Sequence, residues 1–189
     1  RVRSGRLPSL NSESSFGRAF PRFYIRGLGN TDFDLNASQP VSLVYDDIVQ
    51  ENPLLKGFPM FDLDSVEMLR GPQGTLFGRN TPAGVLKFQS RRPTQETEGY
   101  AQVSYGALGN ANFEGAYGGG LNDAWSMRAS ALYQRRDDWV DNTQTSGDDE
   151  LEGYKEFAAR VQLLYAPSDD TEALFNIHAR SLDGTARLF

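Results

Sequence analysis

Two hydrophobic patterns divide the chain. From about residue 98 onward, apolar and polar positions alternate strictly, the signature of a strand with two different faces. Trp125, Met127, Ala129, Ala131 and Tyr133 alternate with Ser126, Arg128, Ser130, Leu132 and Gln134. Phe157, Ala159, Val161, Leu163 and Tyr165 alternate with Ala158, Arg160, Gln162 and Leu164. Ala173, Phe175, Ile177 and Ala179 do the same against Glu172, Leu174, Asn176, His178 and Arg180. Weaker runs at 100–105 and 112–117 bring the expected strands to about five. Tight turns are expected at 121–123 and 167–170, and a long acidic loop at 138–154.

Residues 1–94 carry no such alternation. Short β-branched runs at 23–26, 41–49, 66–70 and 84–89 read as strands, separated by Gly, Pro, Asn and Asp. Residues 61–65 read as a short helical turn. Pro72 and Gly78 bracket a second turn over 73–77, because proline suits a helix start and glycine a helix stop. This half reads as a small α+β unit.

Alternation fits a soluble antiparallel sheet with one wet face as well as a membrane barrel. Strands of about ten residues are long enough to cross a bilayer when tilted. Tyr105, Trp125, Tyr133, Trp139 and Tyr165 lie near strand ends, where an interfacial girdle would place them. Short turns on one side and a long loop on the other match the outer-membrane arrangement.

Composition narrows the chemistry. The net charge of −6 argues against a nucleic-acid partner. With no cysteine in the sequence there is no disulfide framework and no thiolate metal site. The acidic run Asp148, Asp149, Glu150 and Glu152 has no EF-hand spacing and reads as a solvated loop. His178 is the single histidine, so a Ser-His-Asp site would have to use it, with Ser181 the one nearby hydroxyl nucleophile. No cofactor, metal or catalytic residue is expected. No apolar run reaches the length of a transmembrane helix, and no signal peptide is expected within these residues. The ends, Arg1-Val2-Arg3 and Arg187-Leu188-Phe189, look cut, so a fragment is expected.

The stretch VEMLRGPQGTLFGRNTPAGVLKFQSRRP, residues 66–93, decides among the alternatives. Gly78 is followed by Arg79-Asn80-Thr81, not Lys-Ser/Thr, so it is no phosphate loop. Gly71, Gly74 and Gly78 have the wrong spacing for a dinucleotide fingerprint. Together with Tyr24-Ile25-Arg26-Gly27, Pro40-Val41-Ser42-Leu43-Val44-Tyr45-Asp46-Asp47 and Asp62-Leu63, this stretch resembles the plug domain of TonB-dependent outer-membrane receptors. The resemblance covers about residues 20–94. It implies an α+β plug domain over 1–94, truncated at its N-terminus, followed over 95–189 by the first antiparallel transmembrane strands of a 22-stranded β-barrel. It also implies a receptor in the outer membrane of a Gram-negative bacterium. Such a receptor binds a scarce nutrient, chiefly a ferric siderophore, and imports it with energy from the TonB complex, which grips an N-terminal box expected ahead of Arg1. Outer-membrane lipid would contact the strands.

Several residues follow from the resemblance. Arg26 and Arg70 correspond to positions that pair with barrel glutamates and latch the plug; each ends an apolar run expected to bury its guanidinium. Asn30, Asp32 and Phe33, then Glu51 and Asn52, fall in loops that face outside and are candidates for ligand contact. Gly27, Gly71, Gly74, Gly78 and Gly84 are expected to turn a compact chain sharply. Two rival readings are a soluble β-rich carbohydrate-binding module and a hydrolase on a β scaffold. Five strands alone would leave two open edges prone to aggregation.

Overall fold

The computed structural model describes residues 7–14, 18–30, 32, 34, 37–52, 54–142 and 147–185. The chain forms two compact units, Arg1–Ser90 and Arg91–Leu188.

The first unit is built on a four-stranded mixed sheet in the order β4-β3-β6-β5. Its strands are β3 (Val41–Tyr45), β4 (Ile48–Val49), β5 (Leu63–Arg70) and β6 (Gly84–Ser90). β3 runs parallel to β6, pairing Val41 with Gly84 through Tyr45 with Phe88. Every residue of β3 is buried, which explains its unbroken sequence VSLVY: a central strand covered on both faces has no polar side to alternate with. Leu43, Leu86, Phe88 and Ile25 centre the core, with Leu10, Val41, Tyr45 and Ala83 around them. Each such aliphatic side chain contributes about 1.5–3 kcal/mol by leaving water. A separate two-stranded ribbon, β1 (Leu10–Glu13) with β2 (Arg22–Ile25), adds Leu10 and Ile25 to that core.

Two expectations fail here for local reasons. The run 41–49 is not one strand. Asp46 and Asp47 both have positive φ (48° and 65°) and reverse the chain between β3 and β4, the geometry of a tight hairpin turn. Residues 61–65 form no helical turn. Asp62 has φ +49° and β5 starts at Leu63, with a register shift between Leu63 and Ser65 that hides the alternation. The short turn lies earlier, as a 3₁₀ helix over Leu55–Gly57. The one-turn helix α1 (Gly74–Phe77) stands where Pro72 and Gly78 predict it.

The second unit is a five-stranded antiparallel sheet in the order β13-β12-β9-β8-β7. Its strands are β7 (Glu98–Tyr105), β8 (Ala111–Asn122), β9 (Trp125–Arg136), β12 (Tyr154–Ser168) and β13 (Thr171–Gly184). The expected loop between β9 and β12 contains its own hairpin, β10 (Val140–Asn142) with β11 (Gly147–Leu151). Asp138 holds the hairpin's base, accepting hydrogen bonds from the Gly153 amide at 2.8 Å and from the Thr185 hydroxyl.

This sheet is inside out. Ser126, Arg128, Ser130, Glu156, Arg160 and Gln162 are buried, while Phe157, Val161, Phe175 and Ile177 are 47%, 47%, 57% and 72% exposed. The buried charges have partners. Arg128 pairs with Glu98 at 2.8 Å, and Arg180 donates twice to Glu156, at 3.0 and 2.7 Å. The exposed apolar face is continuous across the ladder. Phe113 sits opposite Tyr133 and Tyr133 opposite Phe157; Ala129 sits opposite Val161 and Val161 opposite Ile177. No helix among the described residues is long and apolar enough to cross a membrane, which says nothing about strands.

Candidate functional site

The loops of the first unit carry most of the predicted site residues. Asn30 accepts from the Asp32 amide at 2.8 Å and donates from its side-chain amide to the Ser38 carbonyl at 2.9 Å. Asp32 in turn accepts from the Asp34 amide at 3.0 Å, and Asn52 from the Leu54 amide at 3.0 Å. These side chains therefore shape their own loops, the usual work of Asn and Asp in turns. Phe33 lies outside the described residues.

Glu51 has a different partner. Arg79, in the turn after α1, donates to both its carboxylate oxygens, Nε at 2.9 Å and Nη2 at 2.7 Å. The fork geometry ties the loop after β4 to the loop after α1 and leaves both groups at the surface. The Arg79 hydrogen bond holds the Glu51 carboxyl below the usual carboxylate range. Arg79 was not among the expected site residues; the spacing of the glycine stretch points to turns and is silent about a partner twenty-eight residues away.

Below this pair lies Lys56, buried within the 3₁₀ turn, whose Nζ donates to the Val41 carbonyl at 3.3 Å. Burial pushes its ammonium down to about 8, and the field of Glu51 opposes the shift. A second carboxylate fixes the end of β6. Asp46 accepts from the Ser90 amide and from the Ser90 hydroxyl, both at 2.7 Å, and its neighbour Asp47 pairs with Lys87 at 2.8 Å. The two aspartates of one turn thus grip β6 from across β3.

Arg26 and Arg70 are exposed, which corrects the expectation that their apolar runs bury them. Arg26 follows the end of β2 with φ +53°, in a turn that takes its side chain off the strand. Arg70 ends β5 and reaches the Pro8 carbonyl at 3.3 Å. Among the described residues of this unit the buried arginine is Arg22, with its guanidinium 5.9 Å from the Phe20 ring centre and a bond to the Asp32 carbonyl at 3.2 Å.

Among the glycines, Gly78 and Gly84 have the clearest structural reasons. Gly78 stops α1 at φ +74°, which L side chains rarely adopt. Gly84 has φ +144°, and a Cβ there would run into the Leu69 carbonyl oxygen across the β5–β6 pair. Gly27 and Gly71 also have positive φ. Gly74 does not share this reason: it opens α1, and a Cβ would meet Thr81 Oγ1 at an ordinary 3.7 Å. His178 sits on β13 opposite Arg160. No group of three or more His, Cys, Asp or Glu side chains able to hold a metal ion occurs among the described residues.

Known proteins share this architecture. Residues 4–85 match the family model described as the TonB-dependent receptor plug domain. The pesticin receptors of Yersinia enterocolitica and Yersinia pestis are 28% identical over 163 residues, covering 86% of this chain and 24% of theirs. The crystal structure of the ferric yersiniabactin uptake receptor of Yersinia pestis superposes with a TM-score of 0.82 at 27% identity, over 92% of this chain and 27% of that one. The pyoverdine outer-membrane receptor of Pseudomonas aeruginosa shares the fold, with a TM-score of 0.70 at 20% identity, over 93% of this chain and 24% of that one. The chain spans about a quarter of the length of the curated pesticin receptors it matches. With its glycine-laced mixed sheet and its inside-out strands, the chain is similar to the TonB-dependent receptor plug domain over residues 4–85 and, over 92% of its length, to the ferric yersiniabactin uptake receptor.

Proposed function

We propose that the receptor containing this chain binds a ferric siderophore at the cell surface and imports it with energy relayed by TonB. The observation that carries this reading is the likeness to the ferric yersiniabactin uptake receptor along 92% of the chain. In this reading residues 1–94 act as the plug and 95–189 as the first barrel strands. TonB grips a segment on the N-terminal side of the plug. Arg26 and Arg70, exposed at the ends of β2 and β5, latch the plug to carboxylates of the wall. The loops bearing Asn30, Asp32, Phe33, Glu51 and Asn52 face the nutrient.

No covalent step is required. The plug has a closed and an open state, and a ligand shifts them only by the difference in its affinity for the two. Moving the ratio from 1:99 to 99:1 takes roughly 10⁴-fold preference; in this reading the work relayed by TonB adds to that bias. The lipid-facing part of the reading has its own support. Trp125 and Tyr165 stack at 4.6 Å at one end of the apolar face, and the Phe113–Tyr133–Phe157 row crosses the other. Eight residues separate Trp125 from Tyr133, about 26 Å along a strand. A tilt of roughly 40° reduces that to about 20 Å along the membrane normal, close to the ~25 Å apolar band of such barrels.

The test is uptake of radiolabelled ferric yersiniabactin, ferrioxamine and ferripyoverdine by cells expressing the full-length gene product, with and without functional TonB. Accumulation of at least one chelate that disappears without TonB is expected. Equal accumulation in both strains, or none of any ferric chelate, removes the proposal.

A further inference from the structure

The segment between the two sheets, residues 91–97, is fastened at several points to the second unit. Gly120 donates its amide to the Gln95 carbonyl at 3.1 Å. A Cβ on Gly119 would stand 3.2 Å from Thr97 Cα, and one on Gly120 would collide with the Gln95 side chain. The bare backbone of Gly119 and Gly120 in β8 is therefore what lets the segment lie so close. Pro93 is buried. Beyond it, Arg92 Nη2 reaches Glu172 Oε1 at 2.6 Å, near the start of β13.

The topology makes that last contact informative. In the sheet order β13-β12-β9-β8-β7, Gly120 lies on β8 and Glu172 on β13, three strand spacings apart. That is about 14 Å at the usual inter-strand distance. Residues 92–95 thus cross the ends of β9 and β12 instead of hanging from the edge strand. An exposed ion pair alone stabilises little. Here it fixes the far end of a segment whose near end is held by a backbone hydrogen bond and close van der Waals contact.

We infer that residues 91–97 are a fixed strap across the rim of the barrel wall, with Arg92 and Glu172 as its positioning residues, so that the connection out of the plug transmits load to the wall without lengthening. This rests on the plug-and-barrel reading above but not on the identity of the nutrient. The mobile part of a pulled plug then ends ahead of Arg92.

The experiment uses the full-length receptor in lipid bilayers, with nitroxide labels at Thr94 and Ser181 and distances read by pulsed electron resonance. A single narrow distance is expected. Arg92→Glu should broaden it, and Arg92→Glu with Glu172→Arg should restore it. A broad distribution in the otherwise native receptor, no change in Arg92→Glu, or no recovery in the charge swap would each overturn the strap. The companion measurement pulls the embedded receptor from the N-terminal side of its plug. Arg92→Glu should release about 10 Å more chain than the native receptor, the three residues from Arg92 to the Gln95 hold at nearly full extension; equal release contradicts the inference. Neither readout depends on uptake. Failure to import any ferric chelate would defeat the proposed function and leave both strap results standing on their own.

Discussion

The two units solve opposite packing problems with similar strands. In the first, β3 and β6 hide Leu43, Leu86 and Phe88 and leave Asp64, Glu67 and Arg70 of β5 exposed. In the second, β12 hides Glu156, Arg160 and Gln162 and turns Phe157 and Val161 outward. Leaving a large apolar side chain in water forgoes roughly 1.5–3 kcal/mol. Four such residues on one face, Phe157, Val161, Phe175 and Ile177, each about half exposed or more, amount to about 3–7 kcal/mol, comparable to the whole stability of a marginal domain. The second sheet makes physical sense when lipid covers that face and polar partners satisfy the other. Buried charge is scattered in the first unit, at groups such as Arg22 and Lys56; in the second it lines β9 and β12 and is relieved by ion pairs such as Arg128–Glu98 and Arg180–Glu156.

The contrast can be broken most strongly in the core of the first unit. Phe88→Ala should lower its stability by about 3–5 kcal/mol, the cost of removing a fully buried aromatic, read as faster amide exchange throughout β3 and β6. In the second unit the sensitive face is the exposed one. Val161→Arg should cost about 2–4 kcal/mol of folding in a bilayer if Val161 lies near the midplane. On a water-facing strand the same change would be close to neutral.

Lys56 offers a smaller, pH-dependent test. Its folded value of about 8 lies below the ordinary 10.5, so between those pH values the unfolded chain binds more protons and stability rises with pH. Below pH 8 the full penalty, about 3 kcal/mol, is present. Lys56→Met removes it and also removes the bond to the Val41 carbonyl, worth about 1 kcal/mol. The variant should be more stable than the native receptor by about 1–2 kcal/mol at pH 7. The gain should vanish as pH approaches 10.5, measured by amide exchange over residues 41–57. A gain that does not change with pH would mean that burial does not lower the Lys56 ammonium below its ordinary value.

The smallest expected effect is at the surface. Arg79→Ala should leave unfolding unchanged, because both members of its pair are exposed. The Glu51 carboxyl should return to the ordinary range, visible by carbon NMR titration of labelled glutamate.

Sequence reading reached different depths in the two units for a physical reason. Alternation is a property of consecutive residues, so β9, β12 and β13 were visible from their own side chains. The glycine stretch marked the plug through its resemblance to the plug domain of TonB-dependent receptors. What stayed hidden depends on distant partners. The Asp46–Asp47 reversal lacks the Asn-Gly or Asp-Gly signature of its turn type, and the register shift in β5 breaks the pattern that would reveal it. Lys56 ends an apolar run, and only the Val41 carbonyl fifteen residues away explains its burial. The Glu51–Arg79 bridge and the Arg92–Glu172 contact join loops with no local mark of each other. Arg26 and Arg70 were read as buried because they end apolar runs, yet a strand end can direct a long side chain outward, and both are exposed.

The direction of the second sheet's apolar face is open to one direct measurement. Nitroxides placed singly at residues 174–178 of the full-length receptor in bilayers report collisions with dissolved oxygen, which concentrates in lipid, and with a water-soluble nickel chelate. Labels at Phe175 and Ile177 should favour oxygen over nickel, and labels at Leu174, Asn176 and His178 should lose that preference, giving a two-residue period. Equal oxygen access at all five positions, or a period of opposite phase, would contradict a lipid-facing Phe175 and Ile177.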